Sequence, residues 1–278
     1  MHFRTLDWGL DGLRDMLVVL EFVQSNSCDP KKVIGKSITY AGYVGILTGV
    51  RENFSLSMNF RPKSKCSKSS LYFHQFLVLT GFRPSISTIF RSLIIAPIGS
   101  TLPSIIEASQ RMSRDHVFSP CYVILCDGCN TLVVEKDLHS SSVRSSPNFI
   151  IQANHDILQW QLRTKLHDHD LNPFPTPRPI NPYPAPPLGP TRDDPKVFKK
   201  HQQYWDHENS EERYYLLRRK WTSLPDKVGS RRSVDLEHLK NWIRTEPINC
   251  TQTHFMCLLD PAMGQIQWLE RGMESNYV

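Results

Sequence analysis

No apolar run in the sequence approaches the roughly 18 residues that a membrane-spanning helix needs. Residues 1–20 hold neither a basic stretch followed by an apolar one nor a small-residue cleavage site. Glycine is scarce, 13 in 278 residues against 20 prolines. Where glycines gather, at Gly42, Gly45 and Gly49, no Lys-Ser or Lys-Thr follows, which excludes a phosphate-binding loop. The seven cysteines are odd in number and spread from Cys28 to Cys257, which argues against a compact disulfide framework and leaves free thiols as the default. Cys121, Cys126 and Cys129 form a C-x4-C-x2-C run, but no second C-x-x-C completes a structural zinc site. The cluster His167, Asp168, His169, Asp170 reads as a solvated loop. No metal or other cofactor is expected.

What is present suits a folded body of enzyme size: 40% hydrophobic residues, six tryptophans, and enough chain for one large domain with its own core. The net charge of +6 permits an acidic partner. The basic residues are scattered, however, and the two small clusters, Arg218–Lys220 and Arg231–Arg232, read as solvated helix faces. Nucleic acid is not an expected partner.

Period-two patterning predicts successive antiparallel strands over residues 1–61, in "MLVVLEFVQ", "SITYAGYVGILTGV" and "FSLSMNFR". Apolar spacing of three and four predicts two helices within Ser70–Ile94, broken around Gly81–Pro84, and a third over Leu102–Arg114. "CYVILCDG" and "NTLVVEKDL" predict a hairpin about Asp127 and Gly128, and "NFIIQAN" (Asn148–Asn154) a further strand. Residues 171–195 form a proline-rich surface loop that no central strand or helix can accommodate. "SEERYYLLRRKW" and "SVDLEHLKNWIRTEP" predict two more helices, the second capped by Ser233 or Asp235, and "THFMCLLDPAMGQIQWLERG" a closing hairpin. The order is that of an α+β fold with antiparallel sheet.

Two features need a reason. Arg4 and Asp7 lie in an apolar strand, where alternation sets them on opposite faces unless the chain bends between them; they are either a surface pair or functional charges. The small residues of "AGYVGILTG" read as strands that pack closely on a neighbour.

Taken in order, Arg4-Thr-Leu-Asp7, "YAGYVGILTGVRENFSLSMNFR", "PCYVIL", "IIQANHD" and "SEERYY" resemble the acid ceramidase and N-acylethanolamine acid amidase family. This family belongs to the choloylglycine-hydrolase-like N-terminal-nucleophile hydrolases. The resemblance runs over nearly the whole chain, 1–278, as a single domain. It implies a four-layer αββα sandwich of two antiparallel sheets. The implied activity is hydrolysis of an N-acyl lipid amide, such as ceramide to sphingosine and fatty acid, by a cysteine freed at a chain terminus. Its thiol attacks while the α-amine, with a pKa near 8, acts as base.

Position by position, the resemblance makes Arg4 the arginine beside the nucleophile and Asp7 the aspartate that holds the α-amine. Asn154 becomes an oxyanion donor and Arg213 the arginine that follows two acidic residues. Asn59 and Phe60 fall at the substrate side, with Phe60 where acid ceramidases carry glutamate. The nucleophilic cysteine belongs about sixteen residues before Arg4, so the resemblance implies an N-terminally incomplete chain that is inactive as it stands. The helices over Leu71–Ile94 are candidates for lining the acyl tail, though such apolar faces are more often simply core, and a lipid substrate implies contact with a membrane surface. The family is often lysosomal or secretory, while residues 1–20 show no signal peptide, which leaves the compartment open. Other readings are an N-acylethanolamine or related amidase, a non-catalytic homologue that binds lipid or a partner chain, and a cysteine-histidine metal protein.

Overall fold

The computed structural model describes residues 1–95, 100–114, 119–146, 148–157, 210–225 and 232–273. The proline-rich stretch 171–195 and the His167–Asp170 cluster lie outside the described residues. Among the described residues ten strands form two antiparallel sheets. The larger is a seven-stranded meander of β2 (Leu17–Val23), β3 (Val33–Tyr40), β4 (Thr48–Arg51), β5 (Phe54–Phe60), β6 (Cys121–Cys126), β7 (Thr131–Lys136) and β8 (Ser141–Ser146). The smaller is β1 (His2–Asp7), β9 (Thr253–Asp260) and β10 (Gln265–Arg271), with β9 in the middle.

Strand alternation explains how the sheets stack. On β9, Phe255, Cys257 and Leu259 face Ile38 and Val50 of the large sheet and close the space between the two. Met256 and Leu258 point the other way, onto α4 (helical over 210–222) and α5 (Leu236–Arg244). A strand covered on both faces carries a continuous apolar run, as β9 does from Phe255 to Leu259. On β5 the same alternation sends Phe54 and Leu56 outward, under α2 (Ile86–Ile94) and α3 (Ile105–Arg114), in a cluster with Phe90, Leu93, Ile94 and Met112. Its intervening Ser55 and Ser57 face inward and hydrogen-bond His2 at 2.8 and 2.9 Å. Helices, sheet, sheet and helices make the expected αββα sandwich.

The helices begin where side chains can satisfy the unpaired N–H groups of a first turn. Ser67 and Ser85 accept from the backbone N–H three residues on, at α1 (Lys68–Leu79) and α2. Ser104 and Glu107 form a reciprocal capping box at α3. Of the two caps expected for α5 it is Asp235 that accepts, from the His238 N–H at 2.8 Å. Two glycines of "AGYVGILTG" serve packing: a Cβ on Gly45 would come within 2.3 Å of the Ser87 Cβ, and one on Gly49 within 2.9 Å of Ile46, whereas Gly42 has open space around it and a φ of +86°.

Two strands differ from expectation. Asn148–Asn154 is not a strand. Side chains of neighbouring elements take its backbone groups, Asn59 the Gln152 carbonyl and Ser210 the Asn154 N–H, and Phe149 and Ile151 pack toward α4 and α5. β8, in contrast, escaped notice because "SSVRSS" carries a single apolar residue; as the outer strand of the large sheet it buries little and needs none.

Candidate active site

Between the small sheet, the 148–154 segment and helices α4 and α5 lies a cavity of about 970 Å³. It is lined by the six residues that the resemblance assigned to the site: Arg4, Asp7, Asn59, Phe60, Asn154 and Arg213. They come from four separate parts of the chain.

Arg4 is 4% exposed and is not a surface charge. Its Nη1 donates to the Leu47 carbonyl and the Thr48 hydroxyl, and its Nη2 to the Met58 carbonyl, each at 2.6 Å. Burial pulls its pKa down to about 10, against the opposing pull of Cys257, Tyr40 and Asp7, so it remains a cation at neutral pH. The guanidinium thus ties β1 to the β3–β4 loop and to β5, which fixes the strand at the floor of the cavity.

Asp7 reaches the same cavity because the pairing of β1 with β9 shifts register between Leu6 and Asp7, and such a bulge resets the alternation. One carboxylate oxygen pairs with Arg213 and the other accepts from the Thr253 hydroxyl at 2.7 Å. A charge-assisted pair of this kind holds both groups in one orientation. Asp7 and Arg213, 206 residues apart in sequence, therefore meet.

Asn154 sits on a segment held by its surroundings. Its backbone N–H donates to the Ser210 hydroxyl at 2.7 Å, and the same hydroxyl bonds His155 at 2.8 Å. Ser210 lies three residues before Arg213 at the start of the described part of α4, so one buried hydroxyl links the two site-bearing segments. The Asn59 amide donates to the Gln152 carbonyl at 3.1 Å, Gln152 donates to the carbonyls of Ala153 and His155, and Arg144 pairs with Gln152. Asp156 accepts from Arg61 at 2.6 Å and from the Tyr122 hydroxyl at 2.7 Å. Among the described residues the Asn154 side chain has no hydrogen-bond partner, which leaves its amide available to a guest. Asn59, by contrast, spends its donor on the loop, and Phe60 is 63% exposed at the edge of the cavity.

The apolar lining is not where the sequence reading put it. None of the residues over Leu71–Ile94 lines the cavity; α2 packs on the outer face of the large sheet. The greasy wall consists of Phe3, Phe149, Leu217, Trp221, Leu236 and Leu239, with Phe149 stacked 4.7 Å from Trp221. Apolar helices that cover a sheet and apolar helices that line a cavity carry the same periodicity, and only the topology separates them.

The cysteines divide by burial. Cys121 and Cys257 are fully buried, and desolvation pushes both thiols up to about 12, far from a reactive thiolate. Cys250, one of the seven cysteines but given no role from the sequence, lines the cavity, its sulfur 3.7 Å from the Thr253 hydroxyl that also serves Asp7. Only its position after α5 and before β9 would have pointed to it. His2 is buried and its pKa is lowered to about 3, first by desolvation and then by Arg4, so it is a neutral hydrogen-bond bridge to β5. Among the described residues no three His, Cys, Asp or Glu side chains come together as metal ligands would, and no helix is long and apolar enough to cross a membrane.

No protein-family model matches the chain. A solved structure, the N-acylethanolamine-hydrolyzing acid amidase ortholog of Caenorhabditis elegans, is similar with a TM-score of 0.57 over 94% of this chain and 88% of that one, at 19% identity. The chain accordingly shares the fold of that amidase, an α+β sandwich of two antiparallel sheets between helices. In sequence, an uncharacterized protein of Acanthamoeba polyphaga mimivirus is 30% identical over 168 residues, which are 56% of this chain and 47% of that protein. The chain spans about half the length of the curated relative it matches.

Proposed function

We propose that this chain is the catalytic body of a hydrolase that cleaves an N-acyl lipid amide, ceramide-like in the first instance, by a cysteine N-terminal-nucleophile mechanism. The observation that carries the proposal is that Arg4, Asp7, Asn154 and Arg213, with Asp7 and Arg213 paired, line the same cavity as an aromatic and aliphatic set of side chains. Such a site fits a substrate with one polar, reacting end and one long apolar end. Its volume lies at the upper limit of small-molecule pockets, roughly 300–1,000 Å³.

In this reading the nucleophile is a cysteine about sixteen residues before Arg4. Its α-amine takes the thiol proton, and the sulfur adds to the amide carbonyl. The oxygen, now negative, is met by the Asn154 amide. Collapse expels the amine, which carries away the proton, and leaves a thioester that water cleaves to fatty acid and free thiol. Asp7, oriented by Arg213 and Thr253, holds the α-amine; Arg4 holds the strand on which the pair sits. Phe60 replaces a carboxylate at the cavity edge and makes that edge more apolar.

A second reading, hydrolysis of an N-acylethanolamine, is favoured by the activity named for the nematode neighbour. The test is amine release from N-acylsphingosine and from N-acylethanolamine by the polypeptide extended upstream through the cysteine. Faster release of sphingosine is the expected result, faster release of ethanolamine selects the second reading, and release of neither rejects both.

A further inference from the structure

The face that α4 turns to the 148–154 segment carries Tyr214, Arg218, Trp221 and Thr222, at i, i+4, i+7 and i+8. Between that face, residues 149–151 and Arg144 of β8 lies a second cavity, of about 200 Å³. Phe149, Ile150, Ile151, Tyr214 and Trp221 line both cavities. The two therefore share one wall, in which the Phe149 and Trp221 rings are stacked 4.7 Å apart.

The two sides of this wall differ in charge. In the larger cavity both arginines are spent, Arg4 on carbonyls and a hydroxyl and Arg213 on Asp7. In the smaller one Arg144 bonds Glu135 through Nε at 3.0 Å and Gln152 through Nη2, which leaves its Nη1 without a partner among the described residues. Glu135, 4% exposed, balances the Arg144 charge. Arg218 is exposed and has no partner among the described residues. One uncompensated positive charge thus stands beside a wall of rings and isoleucines.

We propose that the second cavity is a binding site for the carboxylate end of a fatty acid. At roughly 30 Å³ for each group of a water's size, the space takes a carboxylate and three or four methylene groups. Arg218 and the Arg144 Nη1 supply charged donors, which bond a carboxylate about twice as strongly as neutral donors bond a neutral acceptor. The first carbons of the chain lie against Phe149, Tyr214 and Trp221, where their burial adds to the affinity. An uncharged amide with the same tail gains little from the arginines. The site itself does not depend on the hydrolase reading, but its use does. There the substrate is a neutral amide and the product an acid that is ionised at neutral pH, so a free arginine beyond the shared wall favours product over substrate.

The experiment is isothermal titration calorimetry of the 278-residue chain with dodecanoate and with N-dodecanoylethanolamine, which carries the same tail on an uncharged amide. Dodecanoate should bind the more tightly. Arg218→Gln should weaken dodecanoate by about tenfold or more, as loss of one charged hydrogen bond does, and leave the affinity for the amide unchanged. Arg219→Gln removes a neighbouring exposed charge that lines neither cavity, and it should change neither affinity. Both positions are exposed, and thermal melting verifies that each variant is folded. No binding of dodecanoate, or binding indifferent to Arg218→Gln, overturns the proposal. So does an equal weakening by Arg219→Gln, which would make the attraction one of general charge, or a matching loss of the amide, which would make Arg218 a support of the wall. No turnover is measured, so loss of the hydrolase reading would leave the result standing, and loss of the site would leave that reading as it is.

Discussion

Replacing Arg61 with methionine should lower the unfolding free energy by about 3–5 kcal/mol, the range found when one partner of a buried ion pair is removed. Arg61 is 5% exposed at the end of β5. It bonds Asp156 at 2.6 Å and lies 3.5 Å from Asp137, whose side chain is 1% exposed. Burial works against its charge, but the hydrogen bond and charge of Asp156 prevail and lift its pKa above the usual arginine value. Methionine would fill much of the volume and leave two carboxylates with no cation. Asp137 would keep the backbone N–H groups of Lys65 and Leu138, and Asp156 the Tyr122 hydroxyl, so the chain should still fold. Urea unfolding measures the loss. Adding Asp137→Asn to Arg61→Met should return part of it, because an amide tolerates burial without a counter-ion. A loss under about 1 kcal/mol would place the cluster among pairs that contribute little.

Asn154→Ala, in the polypeptide that carries the cysteine, should lower kcat by on the order of a hundredfold with KM little changed, as loss of one oxyanion donor does. The split follows from the site. The Asn154 side chain holds nothing in place among the described residues, while its backbone N–H is fixed by Ser210. Truncation therefore removes a donor without releasing the segment, and the apolar wall proposed for the acyl tail stays intact. The melting temperature should move by no more than a degree or two, on the scale of about 4 °C per kcal/mol for a chain of this size or smaller. An unchanged kcat would remove Asn154 from the chemistry. A large fall in melting temperature would make its role structural.

Most of the sandwich was legible because its elements announce themselves locally. β9 reads "THFMCLLD", a run that only a strand covered on both faces can use. α3 starts on the capping box Ser104 to Glu107, and α5 on Asp235. The failures share a cause, dependence on distant partners. The 148–154 segment has a strand's composition, yet Asn59, Arg144 and Ser210 supply its hydrogen bonds and leave no ladder for it to join. β8 has a loop's composition, yet β7 supplies one. The same limit governed the site. Arg4, Asp7, Asn154 and Arg213 could be named from the order of motifs. That Asp7 pairs with Arg213, that Arg4 spends itself on carbonyls, and that α4 and α5 rather than the Leu71–Ile94 helices make the apolar wall all depend on how the chain closes. Cys250 belongs with these, as a thiol brought to the cavity by topology alone.

That thiol makes the decisive measurement a matter of where an acyl group lands. The polypeptide extended upstream through the cysteine, and the 278-residue chain, are each incubated with an N-acyl lipid amide and quenched in acid. The thioester is then located by peptide mass spectrometry. The acyl group should appear on the cysteine about sixteen residues before Arg4, and the 278-residue chain should carry none and release no amine. An acyl group on Cys250, or amine release by the 278-residue chain that thiol alkylation stops, would contradict the proposed nucleophile.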